Sequence, residues 1–199
     1  MHRKAAATRE RILLAAAHEF DEHGYAGGSM RGIADRIGQS KGALGYHFQS
    51  KASIAAAIVE RFYVQASTGD DGMDVRALVQ LSLNVAGRFR DDVMVRAAVR
   101  LQRDADMVEA PLPIPYVSWL ALTETALVDA QRKGQLVPDL DVTSAARVLV
   151  AAFFGTQEIA TTLGYGEALT DWVLKMWQVT LPGIVGNAAG DILATLEHV

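Results

Sequence analysis

Apolar residues recur with helical period along almost the whole chain. Ile12, Leu13, Ala16, Ala17 and Phe20 form one stripe, which predicts an amphipathic first helix with Gly24 as its stop. Met30, Ile33, Ala34 and Ile37 then recur at spacing 0, 3, 4, 7 in a short second helix, for which Ser29 is a good N-cap. Gly38-Gln39 reads as a turn. Ser40 caps a third helix and Ser50 a fourth that runs to about Thr68, before a loop at Gly69–Gly72. Further helices are expected at Asp74–Phe89 and Asp91–Asp104. The run Pro111-Leu112-Pro113-Ile114-Pro115 cannot be helical, because alternating prolines remove donors and force extended geometry. A helix from Tyr116 to Lys133, closed by Gly134, is followed by long apolar helices at Val142–Leu163 and Ala168–Leu181. Pro182-Gly183, Gly186 and Gly190 read as a glycine-rich link to a short last helix. Strand alternation and repeats are missing, so the fold class is all-α.

Composition narrows the possibilities. Half of the 199 residues are apolar and 21% are charged, enough for a buried core and unlike a disordered chain. Without cysteine there is no disulfide framework, thiolate metal site or cysteine nucleophile. Glu10, Arg11, Glu19 and Asp21 interrupt the first apolar stretch, and no run spans a bilayer, so a cytoplasmic protein with no membrane partner is expected. The net charge of −4 is unevenly spread. Residues 1–51 carry eight Lys/Arg against five Asp/Glu, and residues 52–199 carry eleven against eighteen. A mildly basic head on an acidic body suits a small nucleic-acid-reading module fused to something else.

The informative stretch is Ser29 to Phe48, two short helices about a glycine hinge, the arrangement of a helix-turn-helix. Leu44 and Phe48 lie one turn apart and can lock the second helix onto a core, while Gly42, Ala43 and Tyr46 point the other way. Small residues there let the backbone approach base edges. Gln39, Ser40 and Lys41 place donors and positive charge at the helix start, with Arg31, His47 and Lys51 extending the polar margin. Pattern alone leaves open a plain helical hairpin with solvated charges.

The order S-K-G-A-L-x-Y-H-F-x-S-K, after a Gly24-Tyr25 corner and two helices, closely resembles the DNA-binding domain of the TetR family over Thr8 to about Glu60. The resemblance implies that Ser40, Lys41, Gly42, Ala43, Tyr46 and His47 face DNA and that Lys51 contacts backbone phosphate. It implies a three-helix helix-turn-helix domain at 1–51 and a larger helical ligand-binding and dimerisation domain at 52–199. One departure is Gly45, where the family usually has tyrosine. Glycine within a helix costs about 1 kcal/mol relative to alanine, which predicts a looser recognition helix.

In the body, V-R-A-A-V-R-L-Q-R-D followed by P-L-P-I-P-Y-V-S-W resembles the γ-butyrolactone receptors of actinomycetes, a subgroup of that family. The similarity continues through D-L-D-V-T-S-A-A-R-V-L-V to Gly155-Thr156. It implies that Trp119 lies in a ligand pocket and that Thr156 can hydrogen-bond the ligand. Phe153, Phe154 and Gln157 supply the aromatic walls and polar groups such pockets use, and Phe62 and Phe89 are candidates for its side nearest the DNA-binding domain. Ordinary core packing is the competing reading for most of these aromatics. The two long helices are apolar over more than one stripe and need burial on two sides, which predicts a symmetric homodimer. Ala145, Val148, Leu149, Ala152 and Trp177 are its candidate interface.

Catalysis is not expected. The paired acids Asp91-Asp92, Asp104 with Asp106, and Asp139 with Asp141 fall at helix ends or loops, and the histidines have no tight metal-ligand spacing. No cofactor is implied. The expected function is a DNA-binding repressor released from a palindromic double-stranded operator by a small apolar effector, for which the resemblance implies a γ-butyrolactone-type signalling molecule. The alternatives are a multidrug- or antibiotic-sensing regulator, or a small-molecule-binding protein with impaired DNA binding.

Overall fold

The structure, a computed structural model, describes residues 2–67 and 73–195. The described residues form helices joined by turns and short irregular segments and include no strand. In order they form α1 (His2–Gly27), α2 (Met30–Arg36), α3 (Lys41–His47), α4 (Lys51–Ser67), α5 (Val75–Asp91), α6 (Val93–Arg103), α7 (Pro115–Arg132), α8 (Val142–Thr162), α9 (Leu169–Thr180), α10 (Pro182–Val185) and α11 (Ala189–Ala194). Local chemistry explains most boundaries. The α1 helix breaks at Gly24, whose φ of 68° and ψ of 179° lie where a side chain is strained. Ser29 Oγ accepts from Gly32 N at 2.9 Å and Ser40 Oγ from Ala43 N at 3.2 Å, so both hydroxyls cap as expected. Ser50 and Ser53 exchange bonds at the start of α4, Ser53 N to Ser50 Oγ and Ser50 N to Ser53 Oγ. The loop expected at 69–72 lies outside the described residues.

Two expected boundaries change. Pro115 opens α7 rather than ending the extended run, because a proline at the first helical position sacrifices no intrahelical bond. Pro182-Gly183 is part of a helical turn, followed by a 3-10 turn at Gly186–Ala188, so the expected glycine-rich link is helical.

The chain divides into two compact units, Met1–Gln65 with Asp92–Ile114, and Ala66–Asp91 with Pro115–Val199. In the first, α1 packs against α6 and α2, and α2 against α3. Ile12, Leu13, Phe20, Ile33, Leu44, Ile54, Ile58 and Leu101 are fully buried there. Polar groups fix the orientation. Glu19, a buried carboxylate, accepts from Ser29 N at 3.2 Å and from Arg36 Nε at 3.0 Å, while Arg36 Nη2 donates to Glu22 at 2.5 Å. That last bond holds the Glu22 carboxyl below its usual range and raises the Arg36 guanidinium. Arg96 of α6 pairs with Asp21 at 3.0 Å, and Asp104 accepts from Tyr25 N at 2.7 Å, just past the Gly24 break. Ser40→Ala removes the cap of the seven-residue α3 and is expected to cost about 1 kcal/mol in denaturant unfolding of this unit.

In the second unit α7, α8 and α9 pack in sequence, with α5 against α7 and α9. The α8 helix buries Ala146, Leu149, Val150, Phe153, Gln157 and Ala160 on one face. The opposite face leaves Val148, Ile159 and Leu163 exposed, and α9 leaves Val179 81% exposed beside it on the same open groove as Thr156. A helix apolar on both faces is what the sequence predicts. Leu149 and Trp177, however, are 4% and 2% exposed within the protomer, so these two expected interface residues belong to its core. Trp177 Nε1 donates to the buried Ser82 Oγ at 2.7 Å, which fixes that ring inward.

Candidate DNA-reading and effector sites

The first site is the exposed side of α3. Leu44, fully buried, and Phe48 hold the helix down, and Arg9 caps the Phe48 ring with its guanidinium 4.5 Å from the centroid. Gly38 turns the chain at φ +65°, and Gln39 N returns to Ala34 O at 3.0 Å, which sets α3 against α2. Lys41, Gly42, Ala43 and Gly45 are consequently exposed, and Tyr46 is 87% exposed with His47 edge-on to it at 5.3 Å. This face offers a small-residue surface for close approach, flanked by one ammonium, a phenol and an imidazole. Arg31 is exposed on α2 in a 3.8 Å pair with Asp35, and Gln39 is half-buried. Lys51 is placed differently from the other candidates. Its ammonium donates to the main-chain carbonyls of Tyr25 and Gly28.

A Cβ at Gly45 would meet nothing within 4 Å. Gly45→Ala is therefore expected to stabilise α3 by up to about 1 kcal/mol through lost backbone freedom alone. Gly45→Tyr is expected to tighten operator binding in fluorescence anisotropy, and an unchanged or weaker affinity would count against this.

The second site is an aromatic cavity inside the second unit. It is lined by Leu78, Ser82, Trp119, Thr123, Leu149, Val150, Phe153, Phe154 and Trp177. Trp119 stacks on Phe153 at 5.7 Å, Phe154 stands edge-on to Trp119 at 6.4 Å, and Tyr116 meets Phe154 at 4.8 Å nearer the surface. Trp119 is 5% exposed and its Nε1 is buried without a hydrogen-bond partner. Such an orphan is rare among native buried donors. The remaining space, about 20 Å³, admits about one water molecule.

Trp119, Phe153 and Phe154 thus come together, and Thr156, Gln157, Phe62 and Phe89 do not join them. Thr156 lies on the outer groove with Trp172, Lys175, Met176, Val179 and Thr180. Gln157 is buried but spends its amide on Thr161 Oγ1 at 3.1 Å. Phe62 is buried in the first unit, and Phe89 on α5 is not among the residues lining the cavity. Thr123, Leu149 and Val150 were missed, although each lies three or four residues from Trp119 or Phe153 on the same helix face. Among the described residues no cluster of His, Asp or Glu is fit to hold a metal, and no helix is long and apolar enough to cross a membrane.

Residues 12–58 match the family of bacterial regulatory proteins called the tetR family, and residues 73–186 match the tetracyclin repressor-like C-terminal domain. The chain is similar to the A-factor receptor protein of Streptomyces griseus, 31% identical over 91% of this chain, and it spans 65% of that receptor's length. A solved γ-butyrolactone receptor, an ArpA-like protein, superposes with a TM-score of 0.78 at 29% identity over 98% of both chains. The TetR family protein CprB of Streptomyces coelicolor, solved with its biological operator sequence, superposes at 0.81 and 29% identity over 98% of this chain and 97% of that one.

Proposed function

The chain belongs to the TetR family of bacterial regulatory proteins, and on that premise we propose that it is a homodimeric repressor, released from a palindromic operator by an uncharged, largely apolar effector of the γ-butyrolactone kind. Residues 1–51 read DNA through the exposed side of α3. The second unit, Ala66–Asp91 with Pro115–Val199, binds the effector and pairs two subunits through the outer apolar face of α8 and α9.

The unpartnered Trp119 indole N–H carries the reading of the effector. An unsatisfied buried donor costs about 1–3 kcal/mol, which an acceptor oxygen of the effector recovers. No ionisable side chain lines the cavity among the described residues, so a carboxylate or ammonium would be buried without a counter-charge. A lactone with an alkyl chain satisfies both conditions, and its entry must displace Trp119, Phe153 or Phe154 because the space present holds about one water. The helix that carries Trp119 continues N-terminally through Pro111–Ile114 to α6, which packs on α1. Gln102 Nε2 of α6 ties that strap at Pro113 O, 2.8 Å away. The shift in DNA affinity equals the effector's differential affinity for the releasing and the DNA-bound arrangements.

The test is selection from random duplex DNA at moderate salt. Enrichment of a palindrome whose half-sites lie about one helical turn apart supports a dimeric regulator. Weak, salt-sensitive binding without sequence preference contradicts it and favours a ligand carrier. Release of the operator by neutral drugs but by no lactone would point to a drug-sensing regulator.

A further inference from the structure

Resting on the effector reading of the aromatic cavity, we propose that Phe154 is its gate, and that a small neutral molecule reaches Trp119 through the seam between α7 and α8 where Tyr116 meets Phe154. The space present is about 20 Å³. A site for a small organic molecule needs about 300 Å³ or more, so a wall has to move. Burial decides which one. Every described residue that lines the cavity is buried except Phe154. Beyond Phe154 stands Tyr116, 51% exposed, with its ring edge-on at 4.8 Å. Three rings therefore lead inward from solvent, Tyr116, Phe154 and Trp119, the last two 6.4 Å apart.

The seam is held differently at its two ends. Near the start of α8, Thr143 Oγ1 donates to Glu124 Oε1 of α7 at 2.5 Å. Three helical turns further on the same flank of α8, Phe154 meets Tyr116 through ring edges, a contact with no directional bond to break. Tyr116 also lies in the first turn of α7, where a helix opens most readily. A half-buried ring can change rotamer while the helices that carry it stay folded. Trp119 and Phe153 are the contrasting case, both buried and stacked at 5.7 Å. Phe154 stands about 120° or more round α8 from Val148 and Ile159, so subunit pairing through that outer face does not require covering the gate.

One arm of the test needs no effector. Acrylamide, a small neutral quencher, is added to ligand-free protein, and the Trp119 fluorescence is the difference between each protein and its Trp119→Phe counterpart. Phe154→Ala is expected to raise the quenching rate constant of Trp119 roughly fivefold or more. Leu149→Ala, which empties a buried wall of the same cavity from the same helix, is expected to raise it far less. An unchanged rate in Phe154→Ala, or an equal rise in Leu149→Ala, overturns the gate. Circular dichroism confirms that each variant is folded, and Phe154→Leu takes the place of the alanine variant if that one is not. In the second arm an alkyl γ-butyrolactone is mixed with the protein in a stopped-flow fluorimeter. A gate limits entry as well as exit, so Phe154→Ala is expected to speed association roughly fivefold or more, and dissociation with it. Faster dissociation with unchanged association makes Phe154 a mere contact and overturns the gate, as does no change in either rate. If the wild type binds no lactone, the effector reading fails, and the quenching of ligand-free protein still decides the role of Phe154.

Discussion

Trp119→Ala is expected to bind the operator as wild type does and to stay bound when effector is added. Truncation removes the ring stacked on Phe153 and the only unpartnered buried side-chain donor among the described residues. Central aromatic anchors are worth at least about 2–4 kcal/mol in binding, so effector affinity should fall roughly 100-fold or more. The same truncation leaves a hole in the second unit and costs it about 3–5 kcal/mol of stability, so the comparison belongs at a temperature where the variant is folded. Trp119→Phe separates the two contributions. It keeps an aromatic in the cavity, lacks the N–H, and should lose about tenfold in effector affinity, the net worth of one hydrogen bond. Anisotropy of labelled operator against effector concentration reads both variants. Release of Trp119→Ala at the wild-type concentration would show that the effector binds elsewhere.

Gly32→Ala should unfold the DNA-reading unit more readily than a surface alanine has any reason to do. A Cβ at Gly32 would overlap the carboxylate of Glu19, which is buried and already committed to Ser29 N and Arg36 Nε. The methyl can be accommodated only by displacing that carboxylate and stranding its partners, which combines overpacking with a broken buried ion pair. A cost of about 2–4 kcal/mol is expected, read as a lower denaturant midpoint and as lost operator binding. Glu19→Ala by itself should also destabilise, because Arg36 loses a partner. In the double variant the overlap is gone, so the two costs should sum to less than their separate values. Strict additivity would show that the contact does not limit Gly32.

Local chemistry made much of the fold legible. The caps at Ser29, Ser40 and Ser50, the turns at Gly24, Gly38 and Gly134, and the extended run before Pro115 depend on a few neighbouring atoms, and the residues state them directly. The face of α3 followed from the spacing of Leu44 and Phe48. Long-range pairing was not legible. Nothing local ties Asp21 to Arg96 or Tyr25 to Asp104 across more than seventy residues, so the membership of α6 in the first unit emerges only from packing. The effector site was half legible, for a related reason. The α8 helix is apolar on two faces, so its pattern carries no phase to separate inner from outer. That pattern points Leu149 outward and Thr156 inward, the reverse of their positions. The sequence leaves Trp177 open between core and subunit interface, and the hydrogen bond that turns it inward reaches Ser82, 95 positions away.

A neutral acceptor-bearing molecule, seated against Trp119, is expected to release this protein from DNA. The most direct test titrates the protein–operator complex with an alkyl γ-butyrolactone and, in parallel, with the ring-opened hydroxy acid, following anisotropy. Release by the lactone, little or none by the carboxylate, and a shift of the lactone curve to higher concentration in Trp119→Phe is the predicted result. An intact complex throughout the lactone titration, or equal release by the carboxylate, would contradict it.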